Sequence, residues 1–119
     1  MEPNVTYKFA HVGINNENAA EAADTVQRLA QMFGLPSFDV GNSVIVGGPI
    51  EVVKSAARGR NGHIGIEVSD MALAMQDLCK KGVELDDSSL QLTPDGTPVS
   101  IYLKQEIGGF AFHLLQSRH

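Results

Sequence analysis

His11-Val12-Gly13-Ile14 and His63-Ile64-Gly65-Ile66 are one four-residue phrase written twice, 52 residues apart, in a chain of 119. Each copy sits in a strand-like stretch, and each is followed by a helix-like stretch. A repeat close to half the chain length signals two copies of one supersecondary unit, each too small to bury its apolar face alone. Two of the four histidines thereby take equivalent places in two halves. A site between the halves is the first expectation.

Working outward from the first copy, residues 7–15 alternate as a half-buried strand. That pattern puts Phe9, His11 and Gly13 on one face and Ala10, Val12 and Ile14 on the other. Asn16 or Asn18 is placed to cap the next helix, whose apolar stripe is Ala19, Ala22, Ala23, Val26, Leu29, Ala30 and Phe33. Gly34 and Pro36 end it. Short strands are predicted over residues 37–40, 43–46 and 49–54, with Gly41-Asn42 and Gly47-Gly48 in the turns. The second half repeats this order. An Asn61-Gly62 turn leads into a strand over 63–68, and Ser69 or Asp70 caps a helix carrying Met71, Ala74, Met75 and Leu78 that ends at Gly82. Strands are then expected at 83–85, around Gln91, over 99–104 and over 110–116, with a turn at Asp95-Gly96. The expected fold is α+β: a single domain over 1–119 made of two βαβββ modules, about 7–54 and 61–116, joined by a connector at 55–60. Their strands form a curved mixed sheet around a central hollow, with the helices outside.

Hydrophobic residues make up 43% and charged residues 19%, which suits a globular chain with a real core. A formal net charge of −5 argues against nucleic acid or an anionic membrane as the main partner, since phosphate contact needs a basic face. The one cysteine, Cys79, forms no internal disulfide and is expected as a small buried residue without a catalytic role. Met1-Glu2-Pro3-Asn4 lacks the basic and apolar regions of a signal peptide, and no apolar run is long enough to span a bilayer. A cytoplasmic location is the resulting expectation. His119 is expected to be a free tail.

The last strand of each module sets Ile50-Glu51-Val52-Val53 beside Phe112-His113-Leu114-Leu115. With the apolar faces against the helices, alternation turns His11, Glu51, His63 and His113 toward the hollow. Three imidazoles and one carboxylate suit zinc, nickel, iron or manganese and poorly suit calcium or magnesium. A lone strand histidine is more often a hydrogen-bonded core or rim residue; two symmetric pairs favour the metal. Glu67, four residues after His63 in the same strand, is a candidate general base, the alternative being a rim carboxylate paired with a lysine or arginine. Ser100, Tyr102 and Lys104 share a face opposite Ile101 and Leu103 and are candidates to contact substrate, although a tyrosine there can simply pack with its hydroxyl in water. Arg58 and Arg60 in the connector can grip a carboxylate or phosphate, or form a solvated basic link.

The stretches Asn61-Gly62-His63-Ile64-Gly65-Ile66-Glu67-Val68 and Gly48-Pro49-Ile50-Glu51-Val52 give the chain its resemblance to the vicinal oxygen chelate superfamily. Glyoxalase I, methylmalonyl-CoA epimerase, fosfomycin-resistance proteins and extradiol dioxygenases belong to it. The resemblance covers essentially the whole chain as two βαβββ modules. It implies metal ligands on the first and last strands of each module, here His11, Glu51, His63 and His113. Lys8-Phe9-Ala10-His11-Val12-Gly13-Ile14-Asn15 and Tyr102-Leu103-Lys104-Gln105-Glu106-Ile107-Gly108-Gly109-Phe110 look more particularly like the small domain at the C-terminus of some bacterial 2-dehydro-3-deoxyphosphogluconate (4-hydroxy-2-oxoglutarate) aldolases. No aldolase lysine or barrel accompanies them here.

One position departs from the pattern. Glyoxalase-like members usually end the second module with a glutamate that serves as ligand and often as base, and here that place is His113. The resemblance implies a metal-dependent glyoxalase-like enzyme, lyase or isomerase sooner than dioxygenase, on a small oxo-acid or vicinal-oxygen metabolite. Zinc, nickel, manganese or iron would act as Lewis acid, Glu67 and Tyr102 would serve catalysis, and the protein would be a homodimer. The alternative is a non-catalytic metabolite-binding or oligomerisation domain of the aldolase-appended kind, which short strands around Gly47-Gly48 and a shallow hollow would suit. A drug-sequestering protein needs an aromatic-lined groove, and two tyrosines, five phenylalanines and no tryptophan make that less attractive.

Overall fold

The computed structural model describes residues 4–117. Its elements are β1 (Tyr7–Ile14), α1 (Ala19–Phe33), β2 (Ser37–Asp39), β3 (Ser43–Val46), β4 (Ile50–Val53), β5 (Gly62–Val68), α2 (Met71–Lys80), β6 (Leu85–Leu92), β7 (Pro98–Leu103) and β8 (Phe110–Gln116). The βαβββ order thus occurs twice. All eight strands join one mixed sheet in the order β2-β3-β4-β1-β5-β8-β7-β6. That order is symmetric about its middle. β1 and β5 run antiparallel, each is flanked by a parallel strand (β4 and β8), and the outer strands pair antiparallel.

The helices form where side chains satisfy their free ends. The Asn18 side chain accepts from the Glu21 N–H at 2.8 Å, and Gly34 closes α1 in a left-handed conformation with its N–H on the Ala30 carbonyl. The Asp70 side chain accepts from the Leu73 N–H at 3.0 Å. Each such cap contributes about 1 kcal/mol. Asn16, the other cap candidate, is buried and does different work. Its amide donates to the Val53 carbonyl at 2.9 Å and its oxygen accepts from the Thr25 hydroxyl at 2.9 Å, tying β1, β4 and α1 together.

Each helix covers its own half of one sheet face. Ala22 of α1 packs with Val46 and Val52, flanked by Val26, Leu29, Val44 and Ile50. Met71 and Ala74 of α2 pack with Val68, Ile101 and Leu114, flanked by Ile66 and Leu103. Burying each larger aliphatic contributes roughly 1.5–3 kcal/mol, so these two clusters dominate the fold's stability. The consequence for function is parity: with Val44, Val46, Ile50, Val52, Ile101 and Leu114 committed to the helices, their alternating neighbours face the opposite side of the sheet. The radius of gyration is 15.6 Å, against roughly 13.5 Å for a compact chain of this length. An open single sheet accounts for the extra length.

Three sequence expectations are corrected. The β1–β5 register shifts between Phe9 and His11, a bulge that reverses parity there. Phe9 therefore pairs with Ile66, and Tyr7 reaches the helix side, where its hydroxyl donates to Asp77 of α2 at 2.5 Å. The strand expected at 83–85 begins only at Leu85, and β6 pairs irregularly with β7. Gly82, in a left-handed conformation, closes α2 as expected, with its N–H on the Cys79 carbonyl and the Val83 N–H on the Leu78 carbonyl. Cys79 is exposed, because it lies off the stripe that meets the sheet. His119 lies outside the described residues. No helix among the described residues is long and apolar enough to cross a membrane.

Candidate metal centre

Register brings the repeated phrase onto itself. His11 stands opposite Gly65 and His63 opposite Gly13 across the β1–β5 pair. A Cβ on Gly65 would lie 2.4 Å from Cε1 of His11, and one on Gly13 would lie 2.1 Å from Cε1 of His63. Each ring thus lies over the glycine of the other copy. The parallel strands complete the arrangement, with Glu51 of β4 beside Gly13 and His113 of β8 beside Gly65. Two cross-strand rows result, Glu51–Gly13–His63 and His11–Gly65–His113, on the face turned away from the helices.

The three rings stand at the corners of a triangle with 5.1 Å between every pair of centroids and interplanar angles of 79°, 78° and 87°. Nε2 of His11 is 3.2 Å from Nε2 of His63 and 3.1 Å from Nε2 of His113. Oε1 of Glu51 lies 3.3 Å from Nε2 of His63. A neutral imidazole offers one proton or one lone pair at Nε2, so His11 alone cannot satisfy two such neighbours in complementary fashion once all three atoms converge. A cation between them satisfies every lone pair at once. Nitrogens each about 2.1 Å from a shared ion, at tetrahedral to octahedral angles, stand roughly 3.0–3.4 Å apart, which matches both separations. The donor set and its spacing therefore fit a transition metal.

Electrostatics favour the ligating forms of His113, His11 and Glu51. Burial, reinforced by His63 and His11, pushes His113 down to about 4. Burial and then His63 lower His11 in the same direction. A hydrogen bond from His63 holds the Glu51 carboxyl below its usual range against the opposing effect of burial. Neutral imidazoles and an ionised carboxylate are the states a metal requires.

The His113 row continues outward. Tyr102 of β7 pairs with His113, and Asp86 of β6 pairs with Tyr102. The Tyr102 and His113 rings stack at 4.7 Å and 15°, and the Arg58 guanidinium lies 4.4 Å from the Tyr102 ring centre. Nη2 of Arg58 pairs with Oδ2 of Asp86 at 2.9 Å. Burial is the main cause that raises the Tyr102 hydroxyl's pKa, with Arg58 opposing it. Beside this stack a cavity of about 750 Å³ is lined by His113, Tyr102, Ser100, Gln91, Glu67 and Ser117, among others. Oε1 of Glu67 accepts from the Ser117 hydroxyl at 2.7 Å. The matching positions of the first module are apolar: Ile45 beside Glu51, then Phe38 beside Ile45.

The structure thus brings His11, Glu51, His63 and His113 together, puts Tyr102, Ser100 and Glu67 in the cavity wall, and sets Arg58 behind Tyr102. Two other candidates stand apart. Arg60 is exposed, and its side chain lies against Gly109. Lys104 falls just past the end of β7, exposed and 3.7 Å from Glu84. Asp86, which anchors Arg58, has no distinguishing pattern in the sequence. Only a carboxylate in a polar stretch signalled it, and nothing local marks which cation it will meet.

No protein-family profile matches the sequence, and no curated protein is significantly similar to it. Solved structures do share its fold. A hypothetical protein from Bacillus halodurans C-125 superposes with a TM-score of 0.66 at 17% identity, covering 96% of both chains. Methylmalonyl-CoA epimerase from Mycobacterium tuberculosis gives 0.65 at 14% identity, covering 93% of this chain and 88% of the other. The Streptomyces coelicolor methylmalonyl-CoA epimerase, in a complex with 2-nitronate-propionyl-CoA, gives 0.64 at 16%, covering 94% and 98%. The likeness is one of fold: an α+β, glyoxalase-like arrangement of two modules in one eight-stranded sheet.

Proposed function

We propose that the protein is a metal-dependent enzyme of the vicinal oxygen chelate superfamily, an isomerase or lyase acting on a small metabolite with two adjacent oxygens. The observation that carries this reading is the convergence of three imidazole nitrogens, with N···N separations of 3.1 and 3.2 Å, and the Glu51 carboxylate 3.3 Å from Nε2 of His63. His11, Glu51, His63 and His113 are the residues that would hold the ion. Zinc, nickel, manganese or iron bound there would supply Lewis-acid polarisation of the substrate oxygens.

The chain's own groups divide the remaining work. Glu67, steadied by Ser117, is the base that takes a proton from the substrate carbon and returns it. Tyr102 and Ser100 orient the substrate from the same wall. Arg58 is engaged by Asp86 and by the Tyr102 ring, which supports a part in holding Tyr102 in place over a direct grip on substrate. The fold shared with epimerases supports an isomerase ahead of a lyase, and either ahead of oxygen chemistry.

A second reading, an assembly or metabolite-binding domain of the aldolase-appended kind, is favoured by the exposed Met32, Phe33, Phe38 and Val40 at the end of the first module. The same residues support a homodimer, for which light scattering would read twice 12.8 kDa. Metal content separates the two readings. Protein purified without a histidine tag is expected to carry about one transition metal per chain by plasma mass spectrometry, lost in His63→Ala. A wild type that is empty and takes up no added nickel, zinc, manganese or iron would leave only the second.

A further inference from the structure

We infer that the centre is built for an anionic chelating ligand, a 2-oxo- or 2-hydroxy-carboxylate, and that His113 is the residue setting this preference. The inference rests on the metal-dependent reading above and deepens it by naming the ligand class.

The argument is one of charge. A divalent ion among three neutral imidazoles and the Glu51 carboxylate keeps one positive charge uncancelled, whereas a carboxylate at position 113 would leave none. The other charges nearby face groups of opposite sign. Arg58 is matched by Asp86 at 2.9 Å, and Lys8 stands directly across from Glu67 in the β1–β5 register. Among the described residues Glu51 is the carboxylate that meets the imidazoles, and His63 is buried there while His11 and His113 are half-buried. A charge in such surroundings is poorly screened and draws an anion.

Chemistry and space point the same way. Four protein donors to a six-coordinate ion leave two positions, which a carboxylate oxygen and the neighbouring carbonyl or hydroxyl oxygen fill while supplying the missing negative charge. The rest of the ligand extends toward the second module. There the cavity of about 750 Å³ opens beside His113 with Tyr102 and Ser100 in its wall, while the first-module side offers Ile45 and Phe38.

The test uses the intact chain loaded with cobalt(II), whose visible absorption reports both metal uptake and ligand binding without any turnover. Pyruvate and its uncharged amide, pyruvamide, are titrated into wild type, His113→Glu and Glu51→Gln. The preference for pyruvate over pyruvamide is expected to fall roughly tenfold or more in His113→Glu, which neutralises the centre, and to rise in Glu51→Gln, which adds a charge. A preference that is the same in wild type and in either cobalt-loaded variant overturns the inference. Loss of cobalt by both variants overturns it as well, because the charge argument needs those two positions to accept either kind of donor. Wild type that takes up no cobalt removes the metal-dependent reading itself, an outcome distinct from cobalt uptake with unaltered preference.

Discussion

The imidazole of His11 occupies the space where a side chain on Gly65 would stand, its Cε1 2.4 Å from the position of that Cβ. His63 bears the same relation to Gly13. The phrase His-x-Gly thus works only in duplicate: each copy supplies a ring and the clearance for the other copy's ring.

Gly65→Ala is expected to weaken metal binding by displacing His11, although it changes no ligand. Neither Gly13 nor Gly65 is among the positive-φ glycines, so backbone strain plays no part and only the ring must move. Competition against a chelator should show an affinity loss of about 10–100-fold or more, with circular dichroism unchanged. Gly13→Ala should act equally through His63. Wild-type affinity in both variants would exclude the cradle as a determinant of the site.

Acid should weaken the metal-free protein through His113 and His11. Both are held below the ordinary 6.5, His113 at about 4, so between those values the unfolded chain binds protons that the folded chain refuses. Unfolding free energy therefore rises with pH across this window and is lost as pH falls through it. Glu51, also lowered, adds loss in the same direction below its usual 4.5. Urea midpoints from pH 7 to pH 4 should decline, and His113→Leu should flatten that decline. A midpoint that holds level in wild type would refute the assignment.

The stack behind His113 should govern how firmly that ring is held. Tyr102→Leu removes the partner at 4.7 Å and is expected to weaken metal binding by roughly tenfold, whereas Tyr102→Phe keeps the ring and the affinity. Arg58→Ala should fall between them, since it frees only the outer face of Tyr102. Calorimetric titration of metal into the three variants checks the ranking. Equal affinities for Leu and Phe at position 102 would mean that stacking contributes nothing.

Asn16→Ala is expected to cost about 1–3 kcal/mol of stability while leaving metal stoichiometry intact. It removes a buried amide bonded to the Val53 carbonyl and leaves that carbonyl without this donor. Thr25→Val should cost less, because it deletes only the hydroxyl that Asn16 accepts from. Urea denaturation compared with plasma mass spectrometry separates the two effects.

Much of this was legible because the signals are periodic or duplicated. Alternation located β1, β5 and β8, capping residues bounded both helices, and the repeated phrase aligned the halves so that Glu51 and His113 fell into equivalent places. What escaped lacks such a signature. A bulge leaves no mark in composition, so alternation alone puts Phe9 on the wrong face. In Leu85-Asp86-Asp87-Ser88-Ser89-Leu90-Gln91-Leu92 the polar run and the register shifts erase alternation, which hid most of β6 and with it the role of Asp86. Arg58 and Arg60 are indistinguishable in the connector. Only the folded path turns one over Tyr102 and the other against Gly109.

The sheet reads the same from either end in topology, yet its two halves carry different side chains beyond the ligands. Two separate identical halves meeting across a β1-like strand would be bound by symmetry to offer two equal approaches to the middle. Covalent joining of the halves lifts that obligation. Ile45 and Phe38 line one side with apolar surface, while Tyr102 and Ser100 furnish the other. A duplicated architecture has in this way acquired a front and a back, and a ligand entering it meets a handed environment that neither half could present alone.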